Sequence, residues 1–221
     1  MVKSGLKSAI MTPTVRRFLR KVGIKRPEVP EDNGMKAYFK DSLWQLNVNC
    51  PCDVHFNEYI QQNNIHGKSI FHFGTGEHHI IGLENQKLEQ KNEILAITAS
   101  APEHKSYVDF VIEDESLGKY YKVLFADIYT LTANTIPNFD IINLFHLCEF
   151  YVESRAHLLN QNDESLLQLF LDKLNPQGKI LFYSGSFRWD RAEKIVASFV
   201  TNGKIRPVGE FKTLLIYEKC V

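Results

Sequence analysis

Short apolar runs alternate along most of this chain with longer stretches in which apolar residues recur every three or four positions. Ile70, Phe71 and Phe73 form the first run and predict a buried strand. Ile80, Ile81, Leu83 and Leu88 then predict a helix over 78–91. The alternation continues with a strand at Glu93–Thr98 and a helix-like stretch over 103–116, whose apolar face is Tyr107, Phe110 and Val111. Strands follow at Tyr121–Asp127 and Phe139–Phe145. A helix is expected over Asp163–Leu174, with Asp163 as its cap and Leu166, Leu167, Phe170, Leu171 and Leu174 facing inward. Asn175–Gly178 reads as a turn before a fifth strand, Lys179–Tyr183. A helix over 189–201 and two strands, Ile205–Phe211 and Thr213–Glu218, close the chain.

Strands that alternate with helices and end in a strand pair predict an α/β domain with a mainly parallel sheet. In such a sheet ligands sit at the carboxyl ends of the strands, where strand order reverses. Ahead of the first strand, Phe56, Tyr59 and Ile60 have helical spacing, with Asp53 as the expected cap. This lead-in could cover one side of a ligand cleft or simply pack on the sheet.

Charge marks off the front of the chain. Lysines and arginines balance the acids overall, yet eight basic side chains precede the first acid, Glu28, so the stretch through Pro27 carries +8 and the rest −8. Within it, 14–23 can form a short helix with Val15, Phe18, Leu19 and Val22 on one face. Pro27, Pro30 and the Glu31–Gly34 stretch then break regular structure. The expected organisation is a basic arm over 1–33 and one domain over 34–221, with a helical lead-in at 34–66 and a core at 67–221. The arm is read as solvated or docked on the acidic domain, with weak contact to an anionic membrane as the alternative. Phe18 is the only aromatic among the basic residues, so nucleic acid is not favoured.

Composition narrows the setting further. The apolar share of 44% permits a sizeable core, and no apolar run is long enough to span a bilayer. The first lysines are not followed by the apolar stretch of a signal peptide. Cys50, Cys52, Cys148 and Cys220 lack zinc-ligand spacing and read as reduced thiols, so a cytoplasmic protein is expected.

The candidate chemistry gathers after the first strand. Gly74 allows a sharp turn there, and Gly76 leaves room for a ligand to approach the backbone. A helix start near His78 would add free N–H groups. A plain tight turn explains the same residues. Glu77, His78 and His79, with His72 nearby, invite a metal reading, but adjacent helical side chains point about 100° apart and no metal is expected. No serine-hydrolase elbow and no Walker phosphate loop is present.

In this order and spacing, residues 65–219 resemble a class I S-adenosylmethionine-dependent methyltransferase. Gly74 and Gly76 match the first two glycines of that family's first motif. Phe139-Asp-Ile-Ile-Asn-Leu144 matches its fourth-strand motif. Leu174-Asn-Pro-Gln-Gly178, followed by Ile180, Leu181 and Phe182, matches its later turn and strand, except that Gln177 replaces a glycine. The resemblance implies a Rossmann-like three-layer sandwich around a mainly parallel seven-stranded sheet with a reversed C-terminal β-hairpin. It implies S-adenosylmethionine as methyl donor, a small-molecule acceptor, and cofactor contacts from Phe73, Gly74, Thr75, Gly76, His78, Thr98, Asp127, Ile128 and Phe145. Asp127 matches an acid that often lies beside the adenine. His146 and Glu149, after the fourth strand, are where a catalytic base would sit, and Tyr129 could line the same pocket.

The departures from the family pattern are specific. His72 stands in place of the acid of the first motif and His78 in place of its third glycine. Thr98-Ala-Ser100 lacks the acid that binds the ribose hydroxyls. Losing that charge-assisted bond costs roughly 1.5–3 kcal/mol, unless Thr98, Ser100 or Glu103 substitutes. An inactive methyltransferase-like domain that binds a partner is therefore the alternative to an enzyme. A nicotinamide dehydrogenase would need a glycine where His79 stands.

Overall fold

The computed structural model describes residues 43–220. The expected arm over 1–33, its helix and its boundary at Gly34 lie outside the described residues. The elements, in chain order, begin with α1 (Cys52–Gln62), β1 (Ser69–Phe73), α2 (Ile80–Asn85) and β2 (Glu93–Thr98). Next come α3 (Ala101–Glu113), α4 (Leu117–Tyr120), β3 (Tyr121–Phe125) and β4 (Phe139–Asn143). The chain ends with α5 (Asp163–Asp172), β5 (Leu174–Tyr183), α6 (Trp189–Thr201), β6 (Ile205–Phe211) and β7 (Leu214–Lys219). Short 3-10 helices at Ile128–Thr130 and Glu153–Leu158 lie among the loops, which the apolar pattern does not signal.

The seven strands run in the order β3-β2-β1-β4-β5-β7-β6. The first five are parallel neighbours, and β7 pairs antiparallel with both β5 and β6. This is the expected Rossmann-like sandwich with a reversed hairpin at one edge. Alternate strand residues feed two cores. Phe71, Phe73, Ile142, Ile180 and Phe182 pack with Leu166 and Phe170 of α5 and Val196 and Phe199 of α6. Ile70, Ile94, Ile141 and Leu181 face the other way, toward Phe56 and Ile60 of α1 and Ile81 of α2. Burial on both faces explains why the strands read as apolar runs.

Four local expectations are corrected. The helix expected over 78–91 is only Ile80–Asn85. His79 takes a left-handed φ of 42° at its start, and Asn85 exchanges two 2.9 Å side-chain bonds with the backbone of Asn92 at its end. Asp53 does not cap α1: Pro51 holds the cap position, and the Asp53 side chain turns into the domain. Asp163 does not cap α5, because Asn162 forms a capping box with Ser165. Asp163 is buried instead and accepts the Tyr129 hydroxyl at 2.6 Å. The Asn175–Gly178 turn is an irregularity inside β5, between the pairs Phe139–Leu174 and Ile141–Lys179.

Candidate functional site

Strand order reverses between β1 and β4, and a cleft opens there over the carboxyl ends of the strands. Gly74, Gly76 and His78 after β1 form its floor. Glu103 from the first turn of α3 and His146, Glu149 and Phe150 after β4 line its sides. Cys50, Cys52 and Asp53 enter from the start of α1, Phe187 from the loop after β5, and Trp44 and Gln45 from the segment before α1. Its free volume is about 50 Å³. A larger trough of about 560 Å³ lies at the opposite pole, by Lys68, Ser69 and Asp140. There Asp140 serves the fold, accepting from the Ser69 backbone and from Asn175, both at 3.0 Å. The smaller cleft is the candidate site, because buried ionisable groups converge on it.

The glycine turn is set by backbone geometry. Gly74 and Gly76 have φ of 89° and 55°, a region side-chain-bearing residues rarely adopt. A Cβ on Gly76 would lie 2.8 Å from the Trp44 carbonyl oxygen, and one on Gly74 would lie 2.9 Å from the His146 ring. The close approach that Gly76 permits is thus made here by the chain itself.

Glu103 is the acid nearest the end of β2. Ser100 caps α3, and its hydroxyl accepts from the Glu103 N–H at 3.3 Å. The Glu103 carboxylate accepts from the Thr98 hydroxyl at 2.7 Å and from the Trp44 N–H at 3.1 Å. Burial pushes this carboxyl up, and those two hydrogen bonds pull it back.

His146 and Glu149 form a pair. The His146 Nδ1–H donates to Glu149 Oε2 at 3.1 Å, while Glu149 Oε1 accepts from Ser186 Oγ at 2.6 Å and from the Phe187 N–H at 2.8 Å. Burial pulls the imidazole down, but the Glu149 charge and hydrogen bond outweigh it and lift His146 to about 9. At neutral pH it is therefore a cation that presents Nε2–H beside Gly74.

A second cluster lies under the floor. His72 Nδ1–H donates to Asn143 Oδ1 at 3.0 Å, which leaves Nε2 as a buried lone pair 3.6 Å from Asp53. The Ile80 N–H donates to His78 Nδ1 at 3.2 Å, so His78 carries its proton on Nε2, 3.7 Å from Asp53. Burial raises Asp53 to about 7 and lowers His72 to about 3, so neither contact is an ion pair of full charges. His79 is a structural pin: its Nε2–H donates to the Glu103 carbonyl at 2.8 Å, and Nδ1 accepts from the Tyr121 hydroxyl at 2.9 Å. No group of three or more metal-ligating side chains with metal-binding geometry occurs among the described residues.

Of the residues expected at the site, Gly74, Gly76, His78, His146 and Glu149 come together in the cleft. Phe73, Thr75, Thr98 and Phe145 are buried behind it. Phe145 packs edge-on against Phe56, and Phe73 edge-on against His146. Asp127 and Ile128 follow β3; Asp127 Oδ1 accepts from the Tyr129 N–H at 3.1 Å and Oδ2 lies 3.6 Å from Arg155. Tyr129 is buried in the core. Trp44, Cys50, Cys52 and Phe187 carried no sequence signal for a site, and Asp53 carried only that of a helix cap.

Solved structures share this architecture. A ribosomal protein L11 methylase from Lactobacillus delbrueckii subsp. bulgaricus superposes with a TM-score of 0.53 at 17% identity, over 81% of this chain and 82% of its own. The chain has the class I methyltransferase fold. The N-methyltransferase NodS from Bradyrhizobium japonicum WM9 matches with a TM-score of 0.52 at 12% identity, over 79% of this chain and 99% of its own. The [4+2]-cyclase SpnF matches with a TM-score of 0.51 at 15% identity, over 88% and 73%. No protein-family model and no curated protein matches the sequence. This fold thus occurs in methylases and in a cyclase, and activity resides in the cleft of each protein rather than in the fold.

Proposed function

We propose that the chain is an S-adenosylmethionine-dependent methyltransferase acting on a small-molecule acceptor. The observation that carries this reading is the position of Glu103: a buried carboxylate beside the glycine turn, at the end of β2, where the fold otherwise places an acid on the strand itself. Thr98 aims that carboxylate, which can accept both hydroxyls of a ribose. Gly74, Thr75 and Gly76 would take the amino-acid portion of the donor, with Phe73 and Phe145 supporting the turn from behind. Asp127 and Ile128 would border the adenine, and His78 would border the ribose side.

S-adenosylmethionine would supply a methyl group already activated on a sulfonium, so alignment provides most of the rate. His146 faces the reacting side, held by Glu149. As a cation it can donate a hydrogen bond to an anionic group, and as its proton leaves toward pH 9 it becomes available as a base.

A free volume of about 50 Å³ favours a second reading, a binding protein with this fold, because small-ligand sites span roughly 300–1,000 Å³. Calorimetry with S-adenosylmethionine and S-adenosylhomocysteine separates the two. Micromolar affinity for either supports the enzyme, and no heat at millimolar concentration sinks it. Transfer of a labelled methyl group to a small-molecule extract then tests the acceptor class.

A further inference from the structure

Residues 43–48 cross the mouth of the cleft just before α1. Trp44 ties them down through its own backbone. Its N–H donates to Glu103 Oε1 at 3.1 Å, and its carbonyl accepts from the Glu77 N–H at 2.8 Å. The indole leans on Phe187 across the cleft, with ring centroids 6.2 Å apart. Around this anchor the segment has little burial: Leu43, Trp44 and Leu46 are each about half exposed, and Val48 is 89% exposed. An apolar stretch this exposed is held by few contacts, and local opening of such segments costs little.

Trp44 therefore uses one donor and one acceptor of the site. Glu103 is the acid proposed for a ribose diol, and the Glu77 N–H belongs to the glycine turn. A ligand carrying a vicinal diol presents a hydroxyl donor to Glu103, as the Trp44 N–H does, and a hydroxyl acceptor to the amide, as the Trp44 carbonyl does. The two cannot occupy these positions together. The free volume of about 50 Å³ beneath the segment cannot take a nucleoside-sized ligand, so such a ligand requires the segment to move.

We propose that residues 43–48 form a displaceable strap, and that a ribose-bearing ligand binds by taking over the hydrogen bonds of Trp44 to Glu103 and Glu77. The nature of the ligand rests on the methyltransferase reading; the strap does not. Strap release and ligand binding form one linked equilibrium. The apparent affinity is the intrinsic affinity reduced by the fraction of molecules with the strap open.

Trp44→Pro removes the N–H that Glu103 accepts and the indole that leans on Phe187. Two measurements on this variant separate the strap from the ligand. The first uses no ligand. The Glu77 N–H donates to the Trp44 carbonyl, so its hydrogen-exchange rate reports opening. The rate should rise about tenfold or more in Trp44→Pro, in line with a shift of roughly 1.4 kcal/mol in the opening equilibrium. An unchanged rate overturns the strap. The second is titration with S-adenosylhomocysteine, which should bind at least about threefold tighter to Trp44→Pro and should speed hydrogen exchange at the Trp44 amide of the wild type. Equal affinity for both proteins, with Trp44 still protected in the complex, overturns the competition. Faster exchange at the Glu77 amide with no binding of S-adenosylhomocysteine to either protein leaves the strap standing and removes the methyltransferase reading. Should Trp44→Pro fold poorly, Trp44→Gly keeps the N–H, drops the indole and is judged by the same two outcomes.

Discussion

Glu149 holds the Nδ1–H of His146 at 3.1 Å and is itself held by Ser186 and the Phe187 backbone, so the imidazole is fixed with Nε2 turned toward Gly74. The two residues are three apart in sequence, but the groups that lock Glu149 come from the loop after β5. The pair is therefore a product of the sheet, which brings the ends of β4 and β5 side by side.

This pair gives a pH-dependent stability. His146 has a folded value of about 9 against an ordinary 6.5. Its stabilisation is fully present below about pH 6.5 and is lost as pH rises toward 9. Urea midpoints of the wild type should fall across that interval, and His146→Gln should flatten the fall. In Glu149→Gln, the His146 ring should titrate well below 9 by NMR, since the charge and hydrogen bond that lift it most are gone. A midpoint that stays near 9 would show that another group holds the proton.

Asp53 acts in the same sense, in a lower window. Burial raises it from 3.8 to about 7, so the folded state binds more protons than the unfolded state between those values. Stability from this group falls as pH rises from about 4 to 7. Asp53→Asn keeps the shape and removes the charge, so it should stabilise the protein at pH 8 relative to pH 5. A variant equally displaced from wild type at both pH values would contradict this.

Gly76→Ala should weaken the strap. The residue has φ of 55°, and a Cβ would press on the Trp44 carbonyl and on His78. Left-handed strain alone costs on the order of 1–3 kcal/mol. Differential scanning calorimetry should show a drop of several degrees, together with faster exchange at the Glu77 amide. Gly203→Ala, whose Cβ meets nothing within 4 Å at a φ of 66°, is the control for strain without contact.

Asp127→Ala removes the cap of the 3-10 helix Ile128–Thr130 and the partner of Arg155. The cap loss should cost about 0.5–2 kcal/mol. If Asp127 also borders the adenine, S-adenosylhomocysteine should bind about 1–3 kcal/mol more weakly. Calorimetry that finds the stability loss with an unchanged affinity confines Asp127 to the loop.

Removal of residues 1–33 tests the arm. A protein that begins at Gly34 should melt within a few degrees of the full chain, as expected for a segment bounded by prolines. A large drop would show that the arm packs on the domain.

The order of strands and helices is legible in the sequence because burial on both faces of a parallel sheet leaves uninterrupted apolar runs. Glu93–Thr98 and Ile205–Phe211 are strands, and Trp189–Thr201 is a helix, at the bounds the pattern predicts. The glycine turn is equally legible, since only glycine accommodates its backbone. Helix ends were harder to read, because side-chain bonds to distant backbone decide them, as Asn85 and Asn92 do for α2. The composition of the cleft was mostly hidden. Trp44, Asp53, Glu103 and His146 are spread over positions 44 to 146, and nothing in local spacing says that they meet. By its pattern Asp53 reads as a helix cap, and Glu103 only as one of three substitutes for the missing ribose acid. Only the tertiary structure removes these carboxyls from water, raises their affinity for protons, and sets the backbone of Trp44 across them. Desolvation is a property of the packed neighbourhood, and a linear pattern does not contain it.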